Sequence, residues 1–453
     1  MTQTNLIRRE FLKKVAQYGA LGSAAPLALS LSSIAHASSA AASDYKAVVC
    51  VYLYGGNDYA NTLVPYDTNS YNLYNGLRSS IALTRSSLTN TVLTPTQALS
   101  GGLSFALAPN LSSLIPLFTS NQMAILLNIG TLIQPTTKAQ YFANSVALPP
   151  RLFSHNDQQS FSQAITNPQV TGWGGRLEDL LMSNNSTSTF NAISASGHAL
   201  FLSGNSTTQY QISTNGPVAI NALSGTPFGN SAISSALKSI ITTPINQILS
   251  DQLTSYASRS ISAQGTLASA IGSSTPFGTI FPTNNSLASQ LQIVARMIKA
   301  NQSLGVKRQV FFVSLGGFDT HDHISTAHPQ LMATLGSAIS AFQTVVASMS
   351  LSPNVFTFTS SDFGRTLTSN GDGSDHGWGS HQFAFGGPIT ASKFIGTPPT
   401  LANNGPDDVG QGRLVPTTSN DQLAYSVGKW LGASDSDLKA ALPNAQNFTT
   451  LTF

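Results

Sequence analysis

Four short apolar runs, rich in β-branched and aromatic residues, constrain the fold of this 453-residue chain more than any other feature. They cover residues 48–54, 123–129, 309–315 and 355–359, and glycine, proline or polar residues flank each of them. Strands of a parallel sheet carry such continuous apolar runs because both faces of the sheet are covered. The runs therefore predict a mainly parallel sheet that is buried on both sides.

Segments in which apolar residues recur at helical spacing separate these runs. They cover residues 107–118, 172–182, 287–304 and 329–349. Alternation of strands with helices is typical of a sheet that has helices packed on its two faces. The sequence therefore predicts an α/β fold, a three-layer sandwich with a mainly parallel sheet.

Residues 183–285 do not follow this alternation. The segment is dense in Ser, Thr, Asn and Ala, has few charges, and contains weakly amphipathic stretches such as 233–254. We predict an inserted cap or lid on the sheet, because embedded apolar positions favour order. A disordered low-complexity linker is the alternative.

The N-terminus has the pattern of a twin-arginine export signal. Arg8 and Arg9 precede a weakly apolar stretch, and Ala-His-Ala at 35–37 matches a small-residue cleavage site. We expect the twin-arginine translocase to be the partner during export and residues 1–37 to be removed. The mature domain, residues 38–453, would then lie in the periplasm or outside the cell. The alternative is a membrane anchor, but the stretch is too weakly hydrophobic for a permanent span.

The charge balance gives no support to one class of partner. Loss of residues 1–37 removes four of the 21 basic and one of the 18 acidic side chains, so the mature chain is neutral. A neutral chain gives no reason to expect nucleic acid as a partner. The single cysteine, Cys50, lies in the first apolar run and cannot form an intrachain disulfide, so we expect a buried thiol.

Aspartate and histidine are concentrated in two loops, although only 9% of the residues are charged. Residues 317–323 read Gly-Phe-Asp-Thr-His-Asp-His, and residues 374–381 read Ser-Asp-His-Gly-Trp-Gly-Ser-His. Carboxylate and imidazole groups at short spacing suit Zn, Mn or Fe. Ordinary turn and capping roles for these residues are the alternative.

Several of these residues directly follow a predicted strand. Asp58 follows the first run, Asp362 follows the fourth, and the third is followed by Asp319, His321 and His323. Open α/β sheets bind their ligands beyond the carboxyl ends of the strands. We therefore expect these side chains to meet at one edge of the sheet as candidate metal ligands.

Blocks along the mature chain resemble those of an exported bacterial family called domain of unknown function 1501. The blocks are Tyr-Gly-Gly-Asn-Asp at 54–58, Arg-Leu-Phe-Ser-His at 151–155, Gly-Trp-Gly-Gly-Arg at 172–176, Gly-Phe-Asp-Thr-His at 317–321, Ser-Asp-Phe-Gly-Arg at 361–365 and Asp-His-Gly at 375–377. This family is grouped with the alkaline phosphatase superfamily, which includes sulfatases. The resemblance implies an alkaline phosphatase-like fold and a site for two divalent metal ions.

The resemblance also implies a set of metal ligands. The early carboxylate corresponds to Asp58 or Asn57, and the strand-end block corresponds to Asp319 with either His321 or His323. The remaining positions correspond to Asp375, His376 and His381. Two departures from the superfamily concern spacing, since its strand-end block fits Asp319 with His323 better, and its last histidine lies farther along the chain than His381.

Two residues are candidates for a direct role in catalysis. Ser154 opens a predicted helical segment, where a serine nucleophile and an anionic substrate would both lie in the positive end of the helix dipole. Simple helix capping by Ser154 is the alternative. Arg365 is a candidate clamp for the anionic group, and a structural salt bridge is the alternative.

We therefore expect an exported metal-dependent hydrolase of phosphate or sulfate esters, with a small-molecule or saccharide ester as substrate. Two metal ions would polarise the ester oxygen and stabilise the leaving group. The alternative is a protein of the same fold that is stabilised by metal without turnover, either as a binding protein or as part of the cell envelope.

Overall fold

The computed structural model describes residues 44–272 and 277–453. The predicted signal peptide, residues 1–37, lies outside these residues. The strands are β1 Lys46–Leu53, β2 Leu63–Pro65, β3 Phe105–Leu107, β4 Met123–Gly130, β5 Ala192–Ser194, β6 Tyr210–Gln211, β7 Arg308–Leu315, β8 Val355–Ser361, β9 Ser380–Gly386, β10 Lys393–Ile395 and β11 Thr418–Ser419. The α-helices are α1 Thr68–Leu77, α2 Ile115–Thr119, α3 Lys138–Ala143, α4 His155–Ala164, α5 Trp173–Leu181, α6 Asn221–Ser224, α7 Ser231–Thr242, α8 Ile248–Ile271, α9 Ser286–Lys299, α10 Ile324–Ser348, α11 Asn420–Leu431 and α12 Asp435–Ala441.

The main sheet has nine strands within the described residues, in the order β10-β4-β9-β8-β1-β7-β5-β6, with β11 also paired to β4. Only β9 runs antiparallel to its neighbours, β4 and β8. The central strand β1 is parallel to both β7 and β8, and Leu53 lies level with Leu315 and Ser361. The carboxyl ends of these three strands therefore meet at one edge of the sheet.

Helices cover both faces of this sheet, because successive side chains of a strand point to opposite sides. Val49 and Val51 of β1 belong to the hydrophobic core that includes α9 and α10. Val48 and Cys50 belong to the core on the other face, which includes α5 and α11. The predicted three-layer α/β class with a mainly parallel sheet is confirmed.

The four apolar runs are strands β1, β4, β7 and β8, as predicted. The sequence did not indicate β9, because its buried His381 and Gln382 interrupt the apolar pattern. The predicted helix at 107–118 is wrong in part: β3 ends at Leu107, and Pro109–Leu114 form a 3-10 helix before α2. A proline at the first position of that helix is compatible with this change of backbone direction.

Helix α10 is long and apolar enough to cross a membrane by length and composition alone, with a mean hydropathy of 1.4. More than half of that window is buried inside the protein. Leu335, Ile339 and Phe342 are fully buried in the core beneath the sheet. These contacts are those of a core helix of an α/β domain.

The segment 183–285, for which an inserted cap is predicted, contributes to the main sheet as well. Its strand β5 pairs with β7 and with β6 in parallel. The helices α6, α7 and α8 follow, and Leu267 and Ile271 of α8 join the same core as α9. A cap or lid over residues 183–285 stays a prediction.

Candidate metal centre

The candidate site lies where β1, β7 and β8 end. The backbone N–H of Gly55, after β1, donates to Asp362 Oδ2 after β8 over 3.2 Å. Gly55 has φ +116°, and a Cβ there would lie 2.3 Å from the backbone nitrogen of Asp319, after β7. Only glycine permits both this φ and this approach. The sequence thus brings the three strand-end loops into contact.

Three imidazole nitrogens surround one carboxylate oxygen at this edge. The Oδ1 atom of Asp319 lies 3.3 Å from His155 Nε2, 3.2 Å from His321 Nε2 and 3.4 Å from His376 Nε2. The Nε2 atoms of His321 and His376 are 2.8 Å apart. We call these four residues the histidine–aspartate cluster.

Each imidazole is held through its other ring nitrogen. His376 Nδ1 lies 2.7 Å from the carbonyl oxygen of Phe153, His155 Nδ1 lies 2.7 Å from Asp362 Oδ2, and His321 Nδ1 lies 3.0 Å from Asp375 Oδ1. A carbonyl or an ionised carboxylate only accepts, so each Nδ1 is the donor. In the neutral imidazoles, all three Nε2 atoms then present lone pairs to the centre of the cluster.

Facing lone pairs need a cation between them. At 2.8 Å, the bare Nε2 atoms of His321 and His376 would repel each other without a proton or a metal ion. His155 Nε2 is buried and makes no hydrogen bond to any of the described residues. The ligand atoms of His155, Asp319 and His376 all lie within 4.8 Å of one another. Histidine ligands whose Nδ1 donates to a carboxylate or a carbonyl are the usual arrangement in metal sites. The residues present therefore fit a bound metal ion.

Arg365 positions the carboxylate of the cluster. Its Nη1 atom donates to Asp319 Oδ1 over 2.8 Å and to the carbonyl of Gly55 over 3.1 Å, while Nε and Nη2 donate to the carbonyl of Ser374. Burial raises the pKa of Asp319, but the hydrogen bond and the charge of Arg365 outweigh it, so the pKa lies below its ordinary value. Asp319 is therefore ionised at neutral pH, as a ligand must be.

The pKa values of two imidazoles shift in opposite directions. Burial lowers the pKa of His376, which keeps this imidazole neutral at neutral pH. The hydrogen bond to Asp362 raises the pKa of His155 against the opposing effect of burial. A metal ion would displace any proton on His155 Nε2, while Asp362 would keep its hydrogen bond to Nδ1.

The structure brings five of the eight predicted ligands to the cluster and leaves three elsewhere. Asp319, His321 and His376 meet in the cluster, and Asp362 and Asp375 stand behind two of its imidazoles. Asp58 lies elsewhere in a fully buried ion pair with Arg78. His323 is largely exposed at the start of α10 and faces Asp372, and His381 is buried on β9.

Ser154 and Arg365, the two predicted catalytic residues, both have other partners. Ser154 directly precedes α4, and its hydroxyl donates a hydrogen bond to Asp157 Oδ2 over 2.7 Å. It makes no capping bond to the backbone of the helix. The guanidinium of Arg365 is fully buried and engaged by Asp319 and two backbone carbonyls. A nucleophilic serine and an arginine clamp thus remain predictions from the sequence.

His155 is the cluster residue that sequence reasoning did not select. It is the first residue of α4, distant in sequence from the strand-end loops. The sequence feature that could have indicated His155 is its position at the end of the block Arg-Leu-Phe-Ser-His at 151–155. Only the serine of that block was predicted to have a role, as a nucleophile. Spacing alone does not reveal which helix begins next to a strand end.

The comparison with known families identifies part of the chain. Residues 253–439 match the family described as "Protein of unknown function (DUF1501)". This match confirms the resemblance stated from the sequence, and the matched residues include Asp319, His321, Asp375 and His376. His155 lies before the matched residues. No curated protein matches the chain.

Solved structures similar to the chain show low identity. One described as Ps i-CgsB in complex with k-i-k-neocarrahexaose is 11% identical at a TM-score of 0.34, over 90% of this chain and 74% of that one. The lipoteichoic acid synthase LtaP from Listeria monocytogenes is 9% identical at a TM-score of 0.36, over 92% and 81%. A mutant of the alkaline phosphatase PafA is 14% identical at a TM-score of 0.25, over 71% and 63%. Because these TM-scores are below 0.5, the function proposed below rests on the geometry of the site.

Proposed function

We propose that this chain is a metal-dependent hydrolase of phosphate or sulfate esters, with one divalent metal ion held by His155, His321, His376 and Asp319. The observation that carries the proposal is the convergence of three lone-pair-bearing Nε2 atoms on one carboxylate oxygen. Imidazole with a single carboxylate suits Zn, Fe or Mn. The sequence predicts two metal ions. Among residues 44–272 and 277–453, the converging donor atoms suffice for one ion.

The position of the cluster supports access by a substrate. The side chains of Asp319 and His321 are 49% and 44% exposed, so the cluster is open to solvent on one side. A bound divalent ion would supply a Lewis acid for an ester oxygen. The chain itself holds Asp319 through Arg365 and fixes the tautomer of His321 through Asp375.

Arg413 brings a cation next to the cluster. Its Nε atom donates to the carbonyl of His376 over 3.0 Å, and its guanidinium lies 4.8 Å from the centre of the Phe153 ring. Among the described residues, the Nη atoms of Arg413 have no hydrogen-bond or ion-pair partner. A guanidinium with free donors suits an anionic phosphate or sulfate group. We therefore assign Arg413, rather than Arg365, the role of contacting the anionic part of the ester.

A second candidate function is a metal-stabilised protein without turnover. It is favoured by the number of donors, because four protein ligands are typical of a structural zinc site and three of a catalytic one. The partial exposure of Asp319 and His321 favours the hydrolase, since a structural site is closed. Turnover distinguishes the two functions directly.

We expect the purified mature protein to contain about one transition metal ion per chain and to hydrolyse at least one simple ester. Metal content would be measured by inductively coupled plasma mass spectrometry. Turnover would be measured with p-nitrophenyl phosphate, bis-p-nitrophenyl phosphate and p-nitrophenyl sulfate, before and after removal and return of the metal. Stoichiometric metal without turnover would favour the structural function, and protein without stoichiometric metal would refute both.

We also propose that the chain is exported by the twin-arginine route to the periplasm or beyond. The support is the sequence at Arg8 and Arg9 and the cleavage pattern at 35–37. Replacement of both arginines by lysine should leave uncleaved precursor in the cytoplasm, as seen by fractionation and immunoblotting. Unchanged export of that double variant would exclude this route. Replacement of Lys13 or Lys14 by arginine provides the matched control, because it leaves Arg8 and Arg9 in place.

A further inference from the structure

A cavity of about 270 Å³ is lined by none of the four cluster residues. It is bounded by the two-stranded sheet of β2 and β3, by helix α1 and by the loop 398–401. His381 of β9 also lines it. The metal proposal gives this cavity no role.

The walls of the cavity are mostly apolar and carry no ionisable acid or base other than His381, Tyr59 and Tyr74. Apolar contacts come from Leu63, Leu73, Phe105, Pro398, Pro399 and Leu401. The rings of Tyr59 and Phe105 meet the His381 ring edge-on, with centroids 5.1 Å and 6.4 Å away. Such a wall favours an uncharged apolar ligand, because a charge would lose its hydration without gaining a partner.

His381 adds one polar group to this wall. It is only 4% exposed, and its Nδ1 accepts a hydrogen bond from the backbone N–H of Asn128 over 3.0 Å. The proton of the neutral imidazole is therefore on Nε2. Among the described residues, Nε2 has no hydrogen-bond partner. Burial lowers the pKa of His381 to about 3, so the ring is a neutral donor at physiological pH.

We propose that this cavity binds a small, neutral, apolar molecule with a single carbonyl acceptor, which His381 Nε2 contacts by a hydrogen bond. An aromatic ketone or a short acyl ester has this chemistry. Because no acceptor among the described residues meets His381 Nε2, a ligand carbonyl in the cavity would supply one. His381, predicted from the sequence as a metal ligand, would then be a ligand-binding residue of a separate site.

The first test uses prodan, a neutral naphthyl ketone whose fluorescence shifts in apolar surroundings. The mature protein should bind it saturably, and Leu73→Glu should weaken binding about tenfold or more by placing a charge at the rim. Leu73 is 54% exposed, so the change should leave the fold intact. Phe142→Glu is the matched control, because Phe142 is 59% exposed on α3 and does not line the cavity. Absence of saturable binding, or equal loss in both variants, would overturn the proposal.

The second test isolates the hydrogen bond. The wild-type protein should bind prodan about five- to tenfold more tightly than 2-dimethylaminonaphthalene, which lacks the carbonyl. His381→Phe keeps an aromatic side chain and removes both imidazole nitrogens. The preference should then disappear while the naphthalene still binds. Equal binding of the two probes by the wild-type protein would overturn the role of His381. This comparison needs no variant, so it stands even if His381→Phe fails to fold.

Discussion

His376→Ala should weaken metal binding by at least about 100-fold while the protein stays folded. The substitution removes one of four donors and leaves His321 Nε2 without the neighbour that lies 2.8 Å away. Loss of a residue that only orients a ligand already costs about 10- to 100-fold in affinity, and loss of a ligand should cost at least as much. Competition with a chromophoric chelator would measure the affinity, and far-ultraviolet circular dichroism would confirm the fold.

The chain provides a matched control for this measurement. His323 lies two residues from His321, but it is largely exposed and faces Asp372 instead of the cluster. His323→Ala should therefore keep the wild-type affinity, whereas His155→Ala should lose it as His376→Ala does. Wild-type affinity in His376→Ala, or loss of affinity in His323→Ala, would contradict the assignment of the ligands.

The sequence predicted the fold better than the details of the site. Strands β1, β4, β7 and β8 carry continuous apolar runs, since they are buried on both faces, and this makes them visible without any structure. Strand β9 was missed because polar residues such as Gln382 are paired inside the sheet, where Thr359 donates a hydrogen bond to the Gln382 side chain over 2.6 Å. A buried polar group with a distant partner has no signature in local sequence.

The same limitation explains which ligands were predicted. Asp319 and His321 follow a strand directly, so the sequence places them at the sheet edge. Asp58 also follows a strand, but Arg78 at the end of α1 neutralises it, and no spacing rule anticipates that contact. His155 reaches the cluster from the start of a helix. A residue's distance from a strand end thus predicts its position, whereas its chemical partner depends on packing.

Arg78→Met should destabilise the fold by about 3–5 kcal/mol, because it leaves a buried carboxylate without its cation. Both side chains of the pair are fully buried, and Arg78 Nη2 lies 2.5 Å from Asp58 Oδ2. The same carboxylate accepts hydrogen bonds from Ser374 and from the backbone of Asn61. Since total stabilities of domains are about 5–15 kcal/mol, this loss should be evident in urea denaturation. Arg151→Met is the control, because Arg151 is 81% exposed and its loss should change stability by at most about 0.5 kcal/mol.

The pH dependence of this difference tests the charge itself. Burial raises the pKa of Asp58, but the charge of Arg78 and the hydrogen bonds outweigh it, so the pKa lies below its ordinary value. In the wild-type protein this contribution to stability is therefore present above about pH 3.9 and is lost as the pH falls through the folded pKa. In Arg78→Met, burial would prevail and raise the pKa, so protonation of Asp58 on acidification should relieve the penalty. The difference in free energy of unfolding between the two proteins should then shrink from pH 7 to pH 4.

The double variant Asp58→Asn with Arg78→Met should recover part of the lost stability at pH 7. A difference that is below about 1 kcal/mol at pH 7, or that is independent of pH, would show that the ion pair does not stabilise this part of the fold.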